Sequence, residues 1–191
     1  MSHFFAYLAR MKFIQRWSLM RNVRAENIQE HSLQVAMIGH ALAYLRNTKF
    51  GGSVDVGRVV MLALYHDVGE VITGDLATPI KYFNPTIKSA YDEIDVVARD
   101  KLLDMLPEQM RGEYQQYMSA EETSEEWKLV KAADRICAYL KCVEELKAGN
   151  TEFAKAEKAV EAAVKKLGLP EVQYFMKTFV PSFSLTLDEL N

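Results

Sequence analysis

The stretch Val59-Val60-Met61-Leu62-Ala63-Leu64-Tyr65-His66-Asp67-Val68-Gly69-Glu70 joins an apolar segment to a histidine and two acids. Its first six residues are all apolar, which predicts a buried helix. Aspartate is rarely buried unless it is paired or binds a metal, so Asp67 needs a partner. The spacing places His66, Asp67 and Glu70 on one face of a helix predicted over residues 55–71. The stretch therefore indicates a helical fold with a polar site at the end of a buried helix.

Helical periodicity continues along the rest of the chain, and the alternating Val, Ile and Thr runs typical of strands do not occur. We predict helices at about 3–13, 28–47, 55–71, 85–105, 107–118, 123–148, 151–167 and 170–179. The residues expected at helix ends are Asn27, Asp55, Pro85, Pro107, Gly149 and Gly168. No repeat or flexible linker divides the sequence. It therefore predicts one all-α domain over residues 1–191, a bundle of about seven to nine helices.

The composition excludes several classes of protein. Hydrophobic residues make up 49% of the chain and charged residues 26%, a balance typical of a globular protein. No apolar run reaches the roughly 18–20 residues that span a bilayer. The net charge of −3 argues against a dedicated nucleic-acid binder. Cys137 and Cys142 lie about 140° apart around one predicted helix, so they should not pair, and we expect a reducing, cytoplasmic location.

Two further residues can complete a metal site with His66 and Asp67. His31 lies near the start of the second predicted helix, and Asp134 is an acid embedded in an apolar helix face. Two imidazoles and two carboxylates suit manganese, cobalt, zinc or ferrous iron better than magnesium. Each residue also has an ordinary interpretation. His66 and Asp67 can form a buried structural pair, His31 can be a helix-terminus residue, and Asp134 can pair with a neighbouring cation.

The order His, then His-Asp, then Asp resembles the signature of the HD-domain metal-dependent phosphohydrolases. Further segments narrow the resemblance to the bacterial 5′-deoxynucleotidases of the YfbR type. These segments are Arg16-Trp17, Met20 to Arg24, Glu30 to Ala36, Tyr65 to Asp67, Thr73 to Leu76, Thr78-Pro79, Lys81 to Asn84 and Cys137 to Cys142. The two-letter HD pattern is weakly specific, whereas the full set, which extends from His3 to Phe183, is highly specific.

The resemblance implies a helical homodimer that removes the 5′-phosphate from 2′-deoxyribonucleoside 5′-monophosphates. It places the metal ligands at His31, His66, Asp67 and Asp134. It implies one divalent ion per chain, with cobalt or manganese first and zinc, copper or iron as alternatives. Some HD-domain proteins hold two irons for oxidative chemistry with extra histidines between the His-Asp pair and the last aspartate. No histidine occurs between Asp67 and Asp134, so the resemblance implies a single ion and hydrolysis.

The same resemblance assigns the remaining site residues. Glu70 is the expected catalytic acid, and Arg16 orients the phosphate beside Trp17, which we expect to crowd a ribose 2′-hydroxyl. The residues expected to contact the substrate are Arg16, Trp17, His31, Asp67, Asp75, Leu76, Ala77, Thr78 and Asp134. Two positions depart from the family's usual text: Ala77 replaces a proline in the sugar-contacting loop, and Val68-Gly69 replaces Ala-Ser after the His-Asp pair. Both departures give the backbone near the site more conformational freedom.

Two other functions stay open at this point. One is an HD phosphohydrolase that acts on a triphosphate, a cyclic nucleotide or the guanosine alarmone. The other is a non-catalytic, metal-stabilised binding module that uses the basic residues of segment 10–24. The presence of both Glu70 and Arg16 favours an enzyme. We therefore expect a deoxynucleoside 5′-monophosphate as the partner, and neither nucleic acid nor a membrane.

Overall fold

The computed structural model describes residues 1–77, 80, 83–119 and 123–190, and these ranges form an all-α protein. The α-helices are α1 (Phe4–Leu8), α2 (Ile28–Lys49), α3 (Val56–Tyr65), α4 (Glu70–Thr73), α5 (Pro85–Asp104), α6 (Glu108–Met118), α7 (Glu125–Lys147), α8 (Ala154–Lys166) and α9 (Pro170–Thr178). Within the described ranges, extended pairing is limited to an isolated bridge between Gln15 and Asn27. The predicted all-α fold class is confirmed.

The helix ends lie close to where the sequence placed them. The Asn27 side chain accepts hydrogen bonds from two backbone N–H groups in the first turn of α2, at 3.0 and 3.1 Å. The Asp55 side chain accepts one such bond at the start of α3, from the Arg58 N–H at 2.9 Å. Gly149 and Gly168 follow α7 and α8 with φ angles of +85° and +67°, a region that glycine enters without steric cost.

The single helix predicted over residues 55–71 is wrong in its last part. The helix α3 ends at Tyr65, and the chain continues through a tight turn before α4 begins at Glu70. In this turn N–H groups bond three residues back, as from Val68 to Tyr65 at 3.1 Å. Side chains three apart then align, so Tyr65, Val68 and Val71 all pack into one hydrophobic cluster. Helical periodicity does not reveal this tightening. For a similar reason, the predicted helix 3–13 is divided into α1 and a 3₁₀ turn at Met11–Phe13.

The centre of the bundle is a close crossing of α2, α3 and α7. Gly39 has no side chain, and a Cβ there would lie 3.3 Å from Val59 Cγ1, 3.9 Å from the Cβ of Ala133 and 4.0 Å from that of Ala63. Small residues thus let the three helix backbones approach one another. His31 lies eight residues before Gly39, about 12 Å along the α2 axis. The crossing therefore fixes how far apart the polar residues at the helix ends can lie.

The segment of residues 14–27, which leads into α2, is held in place by two sets of hydrogen bonds. One set joins its two ends to each other, from the Arg16 N–H to Glu26 O (2.9 Å) and from the Ile28 N–H to Ile14 O (3.0 Å). The other set ties it to Glu145 of α7, whose carboxylate accepts bonds from the N–H groups of Val23 (2.9 Å) and Arg24 (3.1 Å). This segment carries Arg16 and Trp17, so its anchoring positions both. Among the described residues, each helix is too short or too polar to span a bilayer.

Candidate metal centre and active site

The structure brings together the four residues that the sequence singled out as metal ligands. One ligand atom each from His31, His66 and Asp134 lies within 4.8 Å of the others. The Asp67 Oδ2 atom lies 3.6 Å from His31 Nε2 and 3.0 Å from His66 Nε2. The residues come from α2, from the turn after α3 and from α7, so three separated parts of the chain converge at one point.

A backbone hydrogen bond orients His66 toward this point, and His31 contacts acids of the site through both of its ring nitrogens. The Nδ1 atom of His66 donates to the Ala63 carbonyl at 2.7 Å, which leaves Nε2 to face the cluster with its lone pair. That Nε2 is buried and makes no hydrogen bond of acceptable geometry within the described residues. The Nε2 atom of His31 lies 3.1 Å from Asp134 Oδ1. Its Nδ1 atom faces Glu26 Oε1 at 3.8 Å. A metal-ligating histidine characteristically places a carboxylate or carbonyl behind its second nitrogen.

The electrostatics favour ionised acids and a neutral His31. Burial, with a contribution from Arg16, lowers the pKa of His31 to about 4. Burial opposes ionisation of Asp67 and Asp134, but interaction with His66 outweighs it at Asp67, and interactions with His31 and Lys131 outweigh it at Asp134. Both carboxyl pKa values therefore lie below the usual range. Burial likewise disfavours a charged His66, yet the adjacent Asp67 raises the pKa of that imidazole.

The residues present fit a divalent metal ion. Four ligands arranged tetrahedrally about 2.0–2.2 Å from an ion lie roughly 3.3–3.6 Å from one another. The nitrogen–oxygen separations of 3.0, 3.1 and 3.6 Å in this cluster agree with that spacing. Two imidazoles and two carboxylates form a donor set of borderline hardness, suited to first-row transition metals and zinc.

Glu70 lines a cavity that opens beside the cluster. This cavity has a volume of about 610 Å³, and its walls include His66, Asp67 and Glu70 together with residues of α5 and α7. These three residues line one cavity although they do not lie on a continuous helix. The turn after α3 places Asp67 and Glu70, which are three residues apart, on the same side. Glu70 therefore lies near the candidate metal ligands, as expected, but a turn and not a continuous helix brings it there.

Arg16 faces the cluster from the 14–27 segment. Its Nε atom lies 3.7 Å from Glu26 Oε2, and both side chains are mostly buried. Burial acts against the charge, but Asp134, Glu26, Asp67 and Asp75 together raise the pKa of Arg16. The Nη1 atom is buried and makes no hydrogen bond within the described residues. A charged donor of this kind is suited to an anionic ligand.

Trp17 adopts a left-handed backbone conformation with φ of +57°, unusual for a bulky residue. Its ring packs against Phe153, with centroids 5.4 Å apart. Asp75, Leu76 and Ala77 form a half-buried loop after α4. Thr78, the fourth residue of the expected sugar-contacting loop, lies outside the described residues.

Sequence reasoning missed two charged residues at this site. Glu26 contacts both Arg16 and His31, and it lies directly before the cap of α2. Lys131 lies 3.5 Å from Asp134 and lines the cavity. From the sequence, Lys131 is one of the neighbouring cations with which Asp134 can form an ordinary ion pair. No sequence signal pointed to Glu26, because its contacts depend on how the 14–27 segment folds back.

Comparison with solved structures defines the class of this fold. An HD-domain phosphohydrolase from Listeria innocua matches with a TM-score of 0.83 and 21% identity, covering 95% of this chain and 88% of the other. A cyanophage S-2L HD phosphohydrolase, solved with dA and one catalytic Zn²⁺ ion, matches with a TM-score of 0.67 and 18% identity, covering 93% of this chain and 96% of the other. The chain has the fold of the HD phosphohydrolases.

Comparison of sequences then gives the family. The profile of the YfbR-like 5′-deoxynucleotidases matches residues 3–183. A 5′-deoxynucleotidase from Vibrio vulnificus is 55% identical over 191 residues, and one from Yersinia pestis is 55% identical over 192 residues. Each alignment covers 100% of this chain and 98% of the relative. The chain belongs to the YfbR-like 5′-deoxynucleotidase family, and it is an enzyme that hydrolyses phosphomonoesters.

Proposed function

We propose that the protein hydrolyses 2′-deoxyribonucleoside 5′-monophosphates to the deoxynucleoside and phosphate at the cluster of His31, His66, Asp67 and Asp134. These four residues would hold one divalent ion per chain. When bound, such an ion supplies Lewis acidity, which makes a water molecule more acidic and offsets phosphate charge. The chain supplies the remaining requirements, namely orientation of the phosphate, proton transfer and recognition of the sugar.

Glu70 is the proposed general acid and base. Its carboxylate lines the cavity beside His66 and Asp67, where water and phosphate would meet in this proposal. It would orient and deprotonate the attacking water, and then return a proton to the leaving O5′ atom. Phosphate monoesters hydrolyse very slowly unaided, so a placed proton donor and fixed charges must supply most of the rate.

Arg16 is the proposed phosphate-orienting residue. Its guanidinium is rigid, charged and flanked by the acids of the site, and its Nη1 hydrogen atoms are unused in the described structure. Two donors in a planar fork match two phosphate oxygens, which a lysine ammonium does not. Glu26, 3.7 Å behind it, would keep the fork directed at the cluster.

Asp75 and Trp17 are proposed to select the sugar, with contacts from Leu76, Ala77 and Thr78. The carboxylate of Asp75 would accept a hydrogen bond from the 3′-hydroxyl and repel a 3′-phosphate. The Trp17 ring, fixed against Phe153, would crowd a 2′-hydroxyl. If this is correct, Trp17→Ala raises activity on ribonucleotides relative to deoxynucleotides, measured as a ratio of kcat/KM values. An unchanged ratio would remove Trp17 from sugar selection.

The observation that carries the proposal is the convergence of His31, His66 and Asp134 within 4.8 Å in a chain of this family. The test is phosphate release from deoxy- and ribonucleoside 5′-monophosphates, a deoxynucleoside 3′-monophosphate and a deoxynucleoside triphosphate. Each substrate is assayed with cobalt, with manganese, with zinc and with chelator. We expect release from deoxynucleoside 5′-monophosphates alone, abolished by chelator.

Three variants sharpen this test. We expect Asp134→Asn to lose both metal binding and activity, and Glu70→Gln to lose activity while it still binds one metal ion per chain in a calorimetric titration. His40→Gln, at an exposed histidine of α2 outside the cluster, is the matched control and should behave as the wild type. Two tightly bound ions per chain would contradict the single-ion site. Release from triphosphates but not monophosphates would replace the proposed substrate class.

Cobalt or manganese is the metal we propose first, with zinc, copper and iron as alternatives. The mixed nitrogen and oxygen donor set supports a transition metal over magnesium or calcium. Metal analysis of protein purified without added metal, combined with activity after reloading each ion, tests this choice. Activity that is highest with magnesium would contradict it.

We propose a homodimer of single-domain chains in the cytoplasm. Leu33, Met37 and Tyr44 support the dimer, because these apolar side chains of α2 are each more than half exposed and share one face of the helix. Both cysteines are unpaired, as expected in a reducing compartment. Sedimentation should give twice the chain mass for the wild type and the chain mass for Met37→Glu, and cell fractionation tests the location. A monomeric wild type at micromolar concentration would remove the dimer.

A further inference from the structure

The cavity beside the candidate metal centre has a basic wall formed by α7. Lys128, Lys131 and Arg135 all line this wall, at spacings that place them along one face of the helix. They differ in what they contact. Lys128 pairs outward with Glu125 at 2.6 Å, whereas Lys131 Nζ lies 3.5 Å from Oδ2 of Asp134. Of these three cations, Lys131 contacts the ligand cluster.

The charges at the centre require another cation once a phosphate ester binds. Asp67 and Asp134 together neutralise a divalent ion. A phosphate monoester carries nearly two negative charges at pH 7, since its second pKa is about 6. Arg16 contributes one positive charge and shares it with Glu26 at 3.7 Å. At least one negative charge would remain unbalanced in a partly buried site, where such a charge is costly.

We propose that Lys131 is a second phosphate-binding cation, which contacts non-bridging oxygens of the substrate phosphate and of the orthophosphate product from the cavity side. This assignment rests on the proposed function. Arg16 reaches the cluster from the 14–27 segment, while Lys131 reaches it from α7. The two cations would therefore hold the phosphate from different directions.

The surroundings of Lys131 allow this role. Its side chain is 45% exposed, so the ammonium can turn toward a ligand in the cavity with little loss of hydration. Its Nζ atom lies 5.5 Å from the centre of the Trp127 ring, a cation–π distance, and both residues line the cavity. A divalent ion would cancel the attraction between Asp134 and Lys131 and would repel the ammonium. A phosphate bound beside the ion would offer the ammonium a negative partner at the same place.

The test compares Lys131→Met and Lys131→Arg with Lys128→Met, a matched loss of charge on the same wall. Two quantities are measured at saturating metal: kcat and KM for a deoxynucleoside 5′-monophosphate, and the Kd of inorganic phosphate by direct titration. We expect Lys131→Met to weaken phosphate binding by about ten- to a hundredfold, the range for a charged hydrogen bond, and to lower kcat/KM at least as much. Lys131→Arg should stay within a few-fold of the wild type, and so should Lys128→Met.

Metal affinity, titrated with the ion alone, separates phosphate binding from a structural role. If Lys131 only positions Asp134, Lys131→Met weakens metal binding and leaves the phosphate Kd at saturating metal unchanged, which would overturn the proposal. Equal phosphate affinity in Lys131→Met and Lys128→Met would overturn it as well. If the wild type hydrolyses no deoxynucleoside monophosphate, the proposed function fails. The phosphate titration still decides the role of Lys131, because it requires no turnover.

Discussion

Replacing Glu145 by glutamine should remove about 3 kcal/mol from the free energy of unfolding at pH 7. The Glu145 side chain is 2% exposed and pairs with Lys141, whose side chain is 6% exposed. It also accepts hydrogen bonds from the Val23 and Arg24 N–H groups and from the Asn150 amide at 2.7 Å. Burial opposes the charge, yet these donors, Lys141 foremost, lower the pKa of Glu145 from 4.5 to about 2. That shift corresponds to about 3 kcal/mol, and breaking a buried ion pair costs about 3–5 kcal/mol.

The loss of stability caused by Glu145→Gln should decrease as the pH falls. The folded-state pKa of Glu145 is lowered, so its stabilisation is present above pH 4.5 and disappears as the pH falls toward 2. The difference in unfolding free energy between the wild type and Glu145→Gln should therefore shrink to about 1 kcal/mol at pH 3. Urea denaturation followed by circular dichroism at both pH values measures it. Glu144→Gln, at an exposed position on the same helix, is the control and should change stability by less than about 0.5 kcal/mol.

Two results would refute this reasoning. One is a Glu145→Gln variant within about 0.5 kcal/mol of the wild type at pH 7, the range of ordinary surface changes. The other is a difference that stays constant between pH 7 and pH 3, because that would show that the carboxylate charge is not the source. Either outcome would mean that the segment carrying Arg16 and Trp17 is anchored by other contacts.

Three further outcomes follow from the packing. A Cβ at position 69 would lie 2.0 Å from Asp95 Oδ1. Gly69→Ala should therefore stabilise the protein, by about 0.4–1 kcal/mol, only when Asp95 is also replaced by alanine; equal thermal shifts with Asp95 and with Asp95→Ala would contradict this. Leu62→Ala, at a fully buried position, should cost about 2–5 kcal/mol in urea denaturation, and a cost below 1 kcal/mol would show that Leu62 is not in a rigid core. Burial raises the pKa of both cysteine thiols, that of Cys142 to about 12, so neither Cys137 nor Cys142 should react with a thiol reagent until urea unfolds the protein. Rapid labelling of the native protein would count against that burial.

The sequence by itself determined the helical class, the main helix ends and the candidate ligands. Each of these depends on local chemistry. Caps such as Asn27 and Asp55 satisfy the first N–H groups of their own helices, and Gly149 takes a backbone angle that other residues avoid. The ligand candidates were recognisable because ionisable groups such as Asp134 are unusual on apolar helix faces.

Only the tertiary structure decided how these residues meet. The break after Tyr65 depends on Val68 and Val71 entering the same cluster, which no local pattern records. The approach of Glu26 to Arg16 depends on a segment that folds back and is anchored to α7, and the contact of Lys131 with the cavity depends on where α5 and α7 lie. Periodicity reports which face of a helix is apolar, whereas distances between side chains are set by how three helices cross at Gly39, Ala63 and Ala133.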